Sequence, residues 1–124
     1  MSYSILLLTS IDSPAPFDHE LICASVNDLC GVDNCEEGGE IMFNHNLLLD
    51  CRYSKSNDAT NISVSKDLMW VSIEGTRDVS LAAAISIQRN YGRRIYAVLG
   101  DSPELNADLT TIGSVDELRR ILEL

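Results

Sequence analysis

The sequence has no lysine or arginine in its first 51 residues, and its first basic residue is Arg52. At average composition a segment of this length would contain about six basic residues. The same segment holds nine acidic residues, whereas residues 52–124 are nearly balanced, so the first segment accounts for most of the formal net charge of −10. Such a surface repels phosphate backbones and anionic lipid and attracts cations. We therefore expect a cationic protein partner, and neither nucleic-acid nor membrane binding.

Export signals and long apolar runs are also lacking. The N-terminal apolar run ends at Leu8 and no basic residue precedes it, so it is too short for a signal peptide or a membrane span. We expect a cytoplasmic protein.

A chain of 124 residues, 45% of them hydrophobic, has the size of one domain and enough apolar residues for a core. We therefore expect a single domain over residues 1–124.

The four cysteines contain no C-x-x-C pair. Without an export signal, Cys23, Cys30, Cys35 and Cys51 are predicted to be reduced thiols in or near the core. Cys30 and Cys35, followed by His45 and Cys51, leave a zinc site open as an alternative, although structural zinc favours tighter ligand pairs. The prediction is no metal and no cofactor.

The sequence also lacks a recognisable catalytic motif. Its two histidines, His19 and His45, lie in no nucleophile motif, and carboxylates are so abundant that a pair of them is uninformative. Trp70 lies in an apolar run and is predicted to be core. We therefore expect no enzyme.

Three segments are predicted to be helices from the spacing of their apolar residues: 17–30, 78–91 and 114–123. Gly31 and Gly92 are the predicted ends of the first two helices. The third opens with a capping box, a serine followed three residues later by a glutamate.

The remaining apolar runs predict strands. Ile5–Leu8 is continuously apolar, which is typical of a central strand covered on both faces. A hairpin is predicted to join 41–43 to 47–49, and further strands to cover 62–65, 68–73 and 95–99. Residues 31–40 and 100–113 are predicted to be loops, and residues 53–61 are predicted to be a loop or a frayed strand end. The order of these elements predicts an α/β (α+β) fold with a mixed β-sheet flanked by about three helices.

Residues 69–96 combine a strand, a turn and a helix. They contain, in order, Met69-Trp70-Val71-Ser72-Ile73, then Glu74-Gly75-Thr76, then Ser80-Leu81 and Ala84, and finally Gly92 and Ile95-Tyr96. This pattern, in under a quarter of the chain, resembles part of the small acidic immunity proteins of bacterial contact-dependent growth inhibition systems. The resemblance implies a cytosolic inhibitor without chemistry of its own. Such a protein binds the toxin domain delivered by a neighbouring cell, commonly a nuclease, and blocks its active site.

Charge alone makes this function plausible, because a nuclease cleft is basic and a carboxylate-rich face can replace the nucleic acid there. An aromatic or aliphatic anchor would supply the residence time. Asp18 and Glu20 are predicted in the first turn of the first helix. The predicted contact residues are Asp12, Asp18, Glu20, Asp33, Glu36, Glu37 and Glu40. The alternative is a small-molecule-binding or regulatory domain with a pocket between sheet and helix.

Overall fold

The computed structural model describes residues 2–37 and 46–124. Within them the chain forms seven strands, three α-helices and two short 3-10 turns. The elements are β1 (Ser2–Leu8), α1 (His19–Cys30), a 3-10 turn (Val32–Asn34), β2 (Cys35–Glu37), β3 (Leu47–Lys55), β4 (Asp58–Ser65), β5 (Val71–Thr76), α2 (Arg77–Tyr91), β6 (Tyr96–Leu99), β7 (Ser102–Asp108), a second 3-10 turn (Leu109–Thr111) and α3 (Val115–Ile121).

The strands form one sheet in the order β2-β3-β4-β5-β1-β6-β7. The predicted α+β class with three helices is confirmed. Every strand pair among the described residues is antiparallel, so the sheet does not mix parallel with antiparallel pairs. The reason is the strand order: α2 connects β5 to β6, which run in the same direction, but β1 lies between them. The helical crossovers therefore never join neighbouring strands.

The core lies between one face of this sheet and the helices. Ile5 and Leu7 of β1 are fully buried in it, together with Ile22 of α1, Leu81 of α2 and Leu118 of α3. The described helices therefore all pack on the same face, which leaves the opposite face, here called the open face, without a helical layer. This arrangement is common for antiparallel sheets.

The prediction that β1 is covered on both faces is wrong. The strand is interior, between β5 and β6, but only Ile5 and Leu7 face the helices, while Leu6 and Leu8 are half-buried on the open face. Trp70 was predicted to be core, and this is also wrong, because the residue is half-exposed and outside the core cluster. A continuous apolar run therefore does not show whether a strand is covered on both faces or has apolar side chains on a face that no helix covers.

The helix ends follow the predicted signals closely. Gly31 and Gly92 end α1 and α2 with φ angles of 86° and 74°, which glycine adopts without strain. Ser114 caps α3, and its hydroxyl accepts from the Glu117 N–H at 3.2 Å. Asp18 precedes the first turn of α1 as its N-cap, whereas the sequence placed it within the turn.

Residues 53–61, predicted to be a loop or a strand end, and residues 100–113, predicted to be a loop, both contain parts of strands. Residues 53–61 form the tight end of the β3–β4 hairpin, in which Tyr53 pairs with Thr60, and residues 100–113 contain β7. Both segments are polar because they lie at the tip or at the edge of the sheet, where few side chains enter the core. The predicted hairpin arm at 41–43 lies outside the described residues. No described helix is long and apolar enough to cross a membrane.

Candidate functional site

The predicted contact residues form two groups at opposite ends of α1. Asp12, Asp18 and Glu20 lie at its N-terminal end; Asp33, Glu36 and Glu37 follow its C-terminal end. The helix has 12 residues, so about 18 Å of helix separates the groups. All six are exposed except Asp18, which is half-buried. The structure therefore does not bring them into one patch, and the seventh, Glu40, lies outside the described residues.

Asp18 has a structural role. Its carboxylate accepts from the Leu21 N–H at 3.0 Å and lies 3.7 Å from the Arg93 guanidinium. Its backbone N–H donates to the Tyr91 hydroxyl at 2.9 Å, and the Tyr91 ring packs edge-on against Phe17. Asp18 thus joins α1 to the end of α2, and its charge is partly compensated by Arg93.

Two carboxylates that the prediction did not select belong with the second group. Asp28 is exposed on the last turns of α1. Asp50 of β3 is the register partner of Glu36 in β2, so both side chains lie on the open face, and the Ser63 hydroxyl donates to Asp50 at 2.9 Å. Helical spacing could have found Asp28, but the Glu36–Asp50 pair depends on strand register.

We call these five residues the acidic edge: Asp28, Asp33, Glu36, Glu37 and Asp50. Among the described residues, no ion pair within 4.0 Å involves any of them. The carboxylates elsewhere are more often paired, since Asp78, Asp108 and Asp116 each contact an arginine. The acidic edge is therefore a region of uncompensated negative charge on the described surface, and it attracts cationic groups.

The open face also carries an apolar band, made of Leu6, Leu8, Trp70, Tyr96 and Val98. Leu6 is the register partner of Val98, and Leu8 is the partner of Tyr96. The pairing of Leu7 with Val71 brings Trp70 opposite Leu8. Val98 is 6% exposed and the other four are half-buried, although no described helix covers them. The band is a candidate hydrophobic anchor for a partner.

Trp70 extends the band into a surface cavity of about 410 Å³, lined also by Asn46, Ser65, Lys66 and Asp67. The Ser65 hydroxyl accepts a hydrogen bond from the backbone N–H of Trp70 at 3.1 Å, and this bond fixes the Trp70 backbone. Hydrogen bonds from the Ser65 hydroxyl and the Met69 N–H lower the pKa of Asp67. The cavity therefore combines the aromatic side chain of Trp70 with one carboxylate, Asp67, and one ammonium group, Lys66.

One interface could cover both the acidic edge and the apolar band. The band lies on β1 and β6, four and five strands from β2, and Trp70 precedes β5, three strands from β2. At the usual strand spacing these separations are about 14 to 24 Å. A typical protein interface buries about 800 Å² on each partner, a patch wide enough to include both. The Arg52 side chain also lies on the open face, two residues from Asp50 on the same strand, and it bounds the negative region.

A separate cavity of about 280 Å³ lies between the β3–β4 turn and helices α2 and α3. Lys55, Asp58, Asp78 and Asp116 line it, together with the apolar Val79 and neighbouring residues. This is the position that the alternative function, a small-molecule site between sheet and helix, requires. Its volume is near the lower end of the range for ligand pockets.

The cysteine prediction is wrong for two of the four residues. Cys35 and Cys51 form a disulfide, because the register of β2 with β3 places them directly opposite each other with Cα atoms 4.1 Å apart. Cys23 and Cys30 are free. Burial raises the pKa of the Cys30 thiol to about 11. The pKa of Cys23 is raised by burial and by the nearby Glu37 carboxylate.

The Cys30 sulfur lies beside this disulfide: the three sulfurs of Cys30, Cys35 and Cys51 are all within 4.8 Å of one another. The zinc alternative predicted from the sequence used these three cysteines and His45. His45 lies outside the described residues, so the structure places only the three cysteines of that set. The other histidine, His19, is exposed on α1.

Comparison with known proteins assigns no family: no family model, curated protein or solved structure matches this chain. The resemblance of residues 69–96 to immunity proteins of contact-dependent growth inhibition therefore stays a prediction.

Proposed function

We propose that this protein is a cytoplasmic immunity protein that binds a basic toxin domain, most simply a nuclease, and covers its active site. The observation that carries the proposal is the acidic edge, whose carboxylates are exposed except for the half-buried Asp50 and form no ion pair among the described residues. Two of its members, Glu36 and Asp50, lie on the sheet face that no described helix covers. A group of carboxylates can take the place of phosphates in a cleft built to hold nucleic acid. The protein itself performs no reaction.

The apolar band supplies the second part of such an interface. Charge complementarity mainly raises the association rate, whereas desolvated aromatic and aliphatic contacts slow dissociation. Trp70 and Tyr96 are the aromatic members of the band. A toxin domain that lies across the open face would contact the band with its apolar residues. Its lysines and arginines would contact Glu36 and Asp50 on that face and the remaining acidic-edge residues around the edge strand β2.

The proposal is tested by measuring whether this protein binds a toxin domain. That domain is the C-terminal domain of the protein whose gene lies directly upstream of its own. The triple reversal Asp33→Lys, Glu36→Lys and Glu37→Lys is expected to weaken binding by about a hundredfold or more, since like-charge contacts across an interface cost several kcal/mol. Trp70→Ala is expected to raise the dissociation rate with little change in the association rate. Surface plasmon resonance measures both rates, and protection of cells that express the toxin domain measures function.

The matched control reverses three exposed carboxylates away from the acidic edge: Asp101, Glu104 and Glu123. Asp108 is unsuitable because it accepts from the Thr110 N–H and pairs with Arg94. Equal loss of affinity in both triple variants, with unchanged circular dichroism, would show that net charge alone matters. Absence of binding between the wild-type protein and the upstream domain would refute the proposal.

A further inference from the structure

A cluster of three sulfurs lies where the end of α1 meets strands β2 and β3. Cys30 is the last residue of α1, Cys35 begins β2, and Cys51 lies opposite Cys35 in β3. The three sulfurs lie within 4.8 Å of one another. A tetrahedral metal with thiolate bonds of about 2.3 Å separates its sulfurs by about 3.8 Å. Small side-chain rotations therefore suffice to place all three sulfurs around one ion.

We propose that Cys30, Cys35 and Cys51, in their reduced form, bind one thiophilic d10 cation of the zinc class. The Cys35–Cys51 disulfide is the metal-free, oxidised state of the same site. Reduction adds two electrons and two protons to the disulfide and yields two thiols. Binding of the cation then releases the three thiol protons to solvent and forms three metal–sulfur bonds.

The chain connection holds the three ligands in place. Gly31, with φ at 86°, ends the helix and turns the chain into the 3-10 turn. The Asn34 side-chain amide donates to the Cys30 carbonyl at 2.8 Å across this turn. The ladder between β2 and β3 fixes Cys35 against Cys51. Ligands fixed by a turn and by a strand pair need little reorganisation when the cation binds.

The environment suits a metal ligand. Cys30 and Cys51 are 7% and 3% exposed, and Cys35 is half-buried, so a cation can reach the sulfurs from the side of Cys35. Formation of the metal–sulfur bonds drives release of the thiol protons. The exposed carboxylates of Glu36 and Glu37, the next two residues of β2, attract cations to this end of the sheet.

The soft sulfur ligands define the class of ion. Thiolates select zinc-like and cuprous ions over magnesium or calcium, which require oxygen ligands. Three thiolates and one water form an arrangement that zinc accepts readily, with one position open.

The experiment titrates the full-length protein with Cd²⁺ under anaerobic conditions after reduction by a water-soluble phosphine, which is itself oxidised to the phosphine oxide. We expect one equivalent to bind and to produce thiolate-to-cadmium charge-transfer absorption in the ultraviolet, and competition with Zn²⁺ to remove that absorption. The oxidised protein is expected to give no such band. Cys30→Ser is expected to weaken Cd²⁺ binding on the order of a hundredfold.

Cys23→Ser is the matched control, because Cys23 is a second free cysteine on the same helix but outside the cluster; it is expected to bind Cd²⁺ as the wild type does. Alkylation of the reduced wild-type protein, read by peptide mass spectrometry, supplies a readout without any substitution: Cd²⁺ should protect Cys35 and Cys51 and leave Cys23 reactive. No stoichiometric binding, or equal binding by Cys30→Ser, would overturn the proposal.

Discussion

At the scale of single residues, close backbone contacts are as restrictive as side-chain packing. Gly75 in β5 shows this best, because β4 passes directly over its α-carbon. A Cβ at this position would lie 2.6 Å from the Ala59 carbonyl oxygen and 2.6 Å from the Thr60 Cα. Both are backbone atoms, so neither can move without distorting the sheet. The buried hydrogen bond of 2.8 Å between the Thr60 and Ser80 hydroxyls further fixes β4 against α2.

Gly75→Ala is therefore expected to lower the free energy of unfolding by about 2 kcal/mol, the usual effect of overpacking. Urea denaturation followed by circular dichroism measures the change. Gly113→Ala is the control, since the nearest atom to its added Cβ is a Glu117 carboxylate oxygen at 3.6 Å, and its effect should stay within about 0.5 kcal/mol. Equal stability of the two variants would show that β4 shifts easily at this position.

At the scale of elements, α1 connects the two groups of acidic residues and depends on contacts at both ends. Its N-terminus is held by the Asp18 cap and by the Tyr91 hydroxyl, and its C-terminus leads through Gly31 into β2. The Ser25 hydroxyl donates to the Leu21 carbonyl within the helix, while Ile22 and Val26 fill the core. The helix therefore positions both the acidic edge and the sulfur cluster.

The structural role of Asp18 can be separated from its charge. Asp18→Ala removes the cap and is expected to lower the free energy of unfolding by about 1 kcal/mol. Asp18→Asn keeps a capping oxygen and should differ from wild type by only a few tenths of a kcal/mol, because the exposed pair with Arg93 contributes little. Chemical denaturation measures both variants. If Asp18→Asn were as destabilised as Asp18→Ala, the ion pair would hold the helix and the cap would matter less.

At the scale of the whole molecule, charge is distributed unevenly over the fold. The first 51 residues carry no basic side chain and supply α1, β2 and the whole acidic edge. The balanced remainder supplies the arginines, and three of them, Arg77, Arg94 and Arg119, pair with carboxylates of α2, β7 and α3. The electric field of the protein therefore attracts cationic partners toward the side formed by α1 and β2. This attraction acts over distances up to the Debye length.

Association with the proposed partner, a basic toxin domain, is therefore expected to slow about tenfold or more when salt rises from about 0.02 M to about 0.5 M, because salt screens steering between exposed charges. Stopped-flow measurement of the association rate tests this. The Asp33, Glu36 and Glu37 reversal should flatten the salt dependence more than the control reversal at Asp101, Glu104 and Glu123. A rate independent of salt would mean that the acidic residues only keep the protein soluble.

Much of the secondary structure was predictable because it depends on local signals. Capping residues, glycine ends and helical spacing located the three helices, and alternation located β4. The charge asymmetry also follows from the sequence alone. β7 was missed because proline, glutamate, asparagine and aspartate, which are all depleted in strands, outweigh the alternation of Leu105 and Ala107 in Ser102–Asp108. Proline is tolerated in a sheet mainly on an edge strand such as this one.

The sequence by itself determined the fold class, the helix positions and the sign of the surface charge, since these depend on composition and on neighbours in the chain. Only the tertiary structure decided which faces are covered. Strand order left Trp70 and Leu6 on an open face, register placed Glu36 beside Asp50, and the same register joined Cys35 to Cys51 next to Cys30. These contacts join residues from different elements, and strand pairing, which acts over long separations, brings them together.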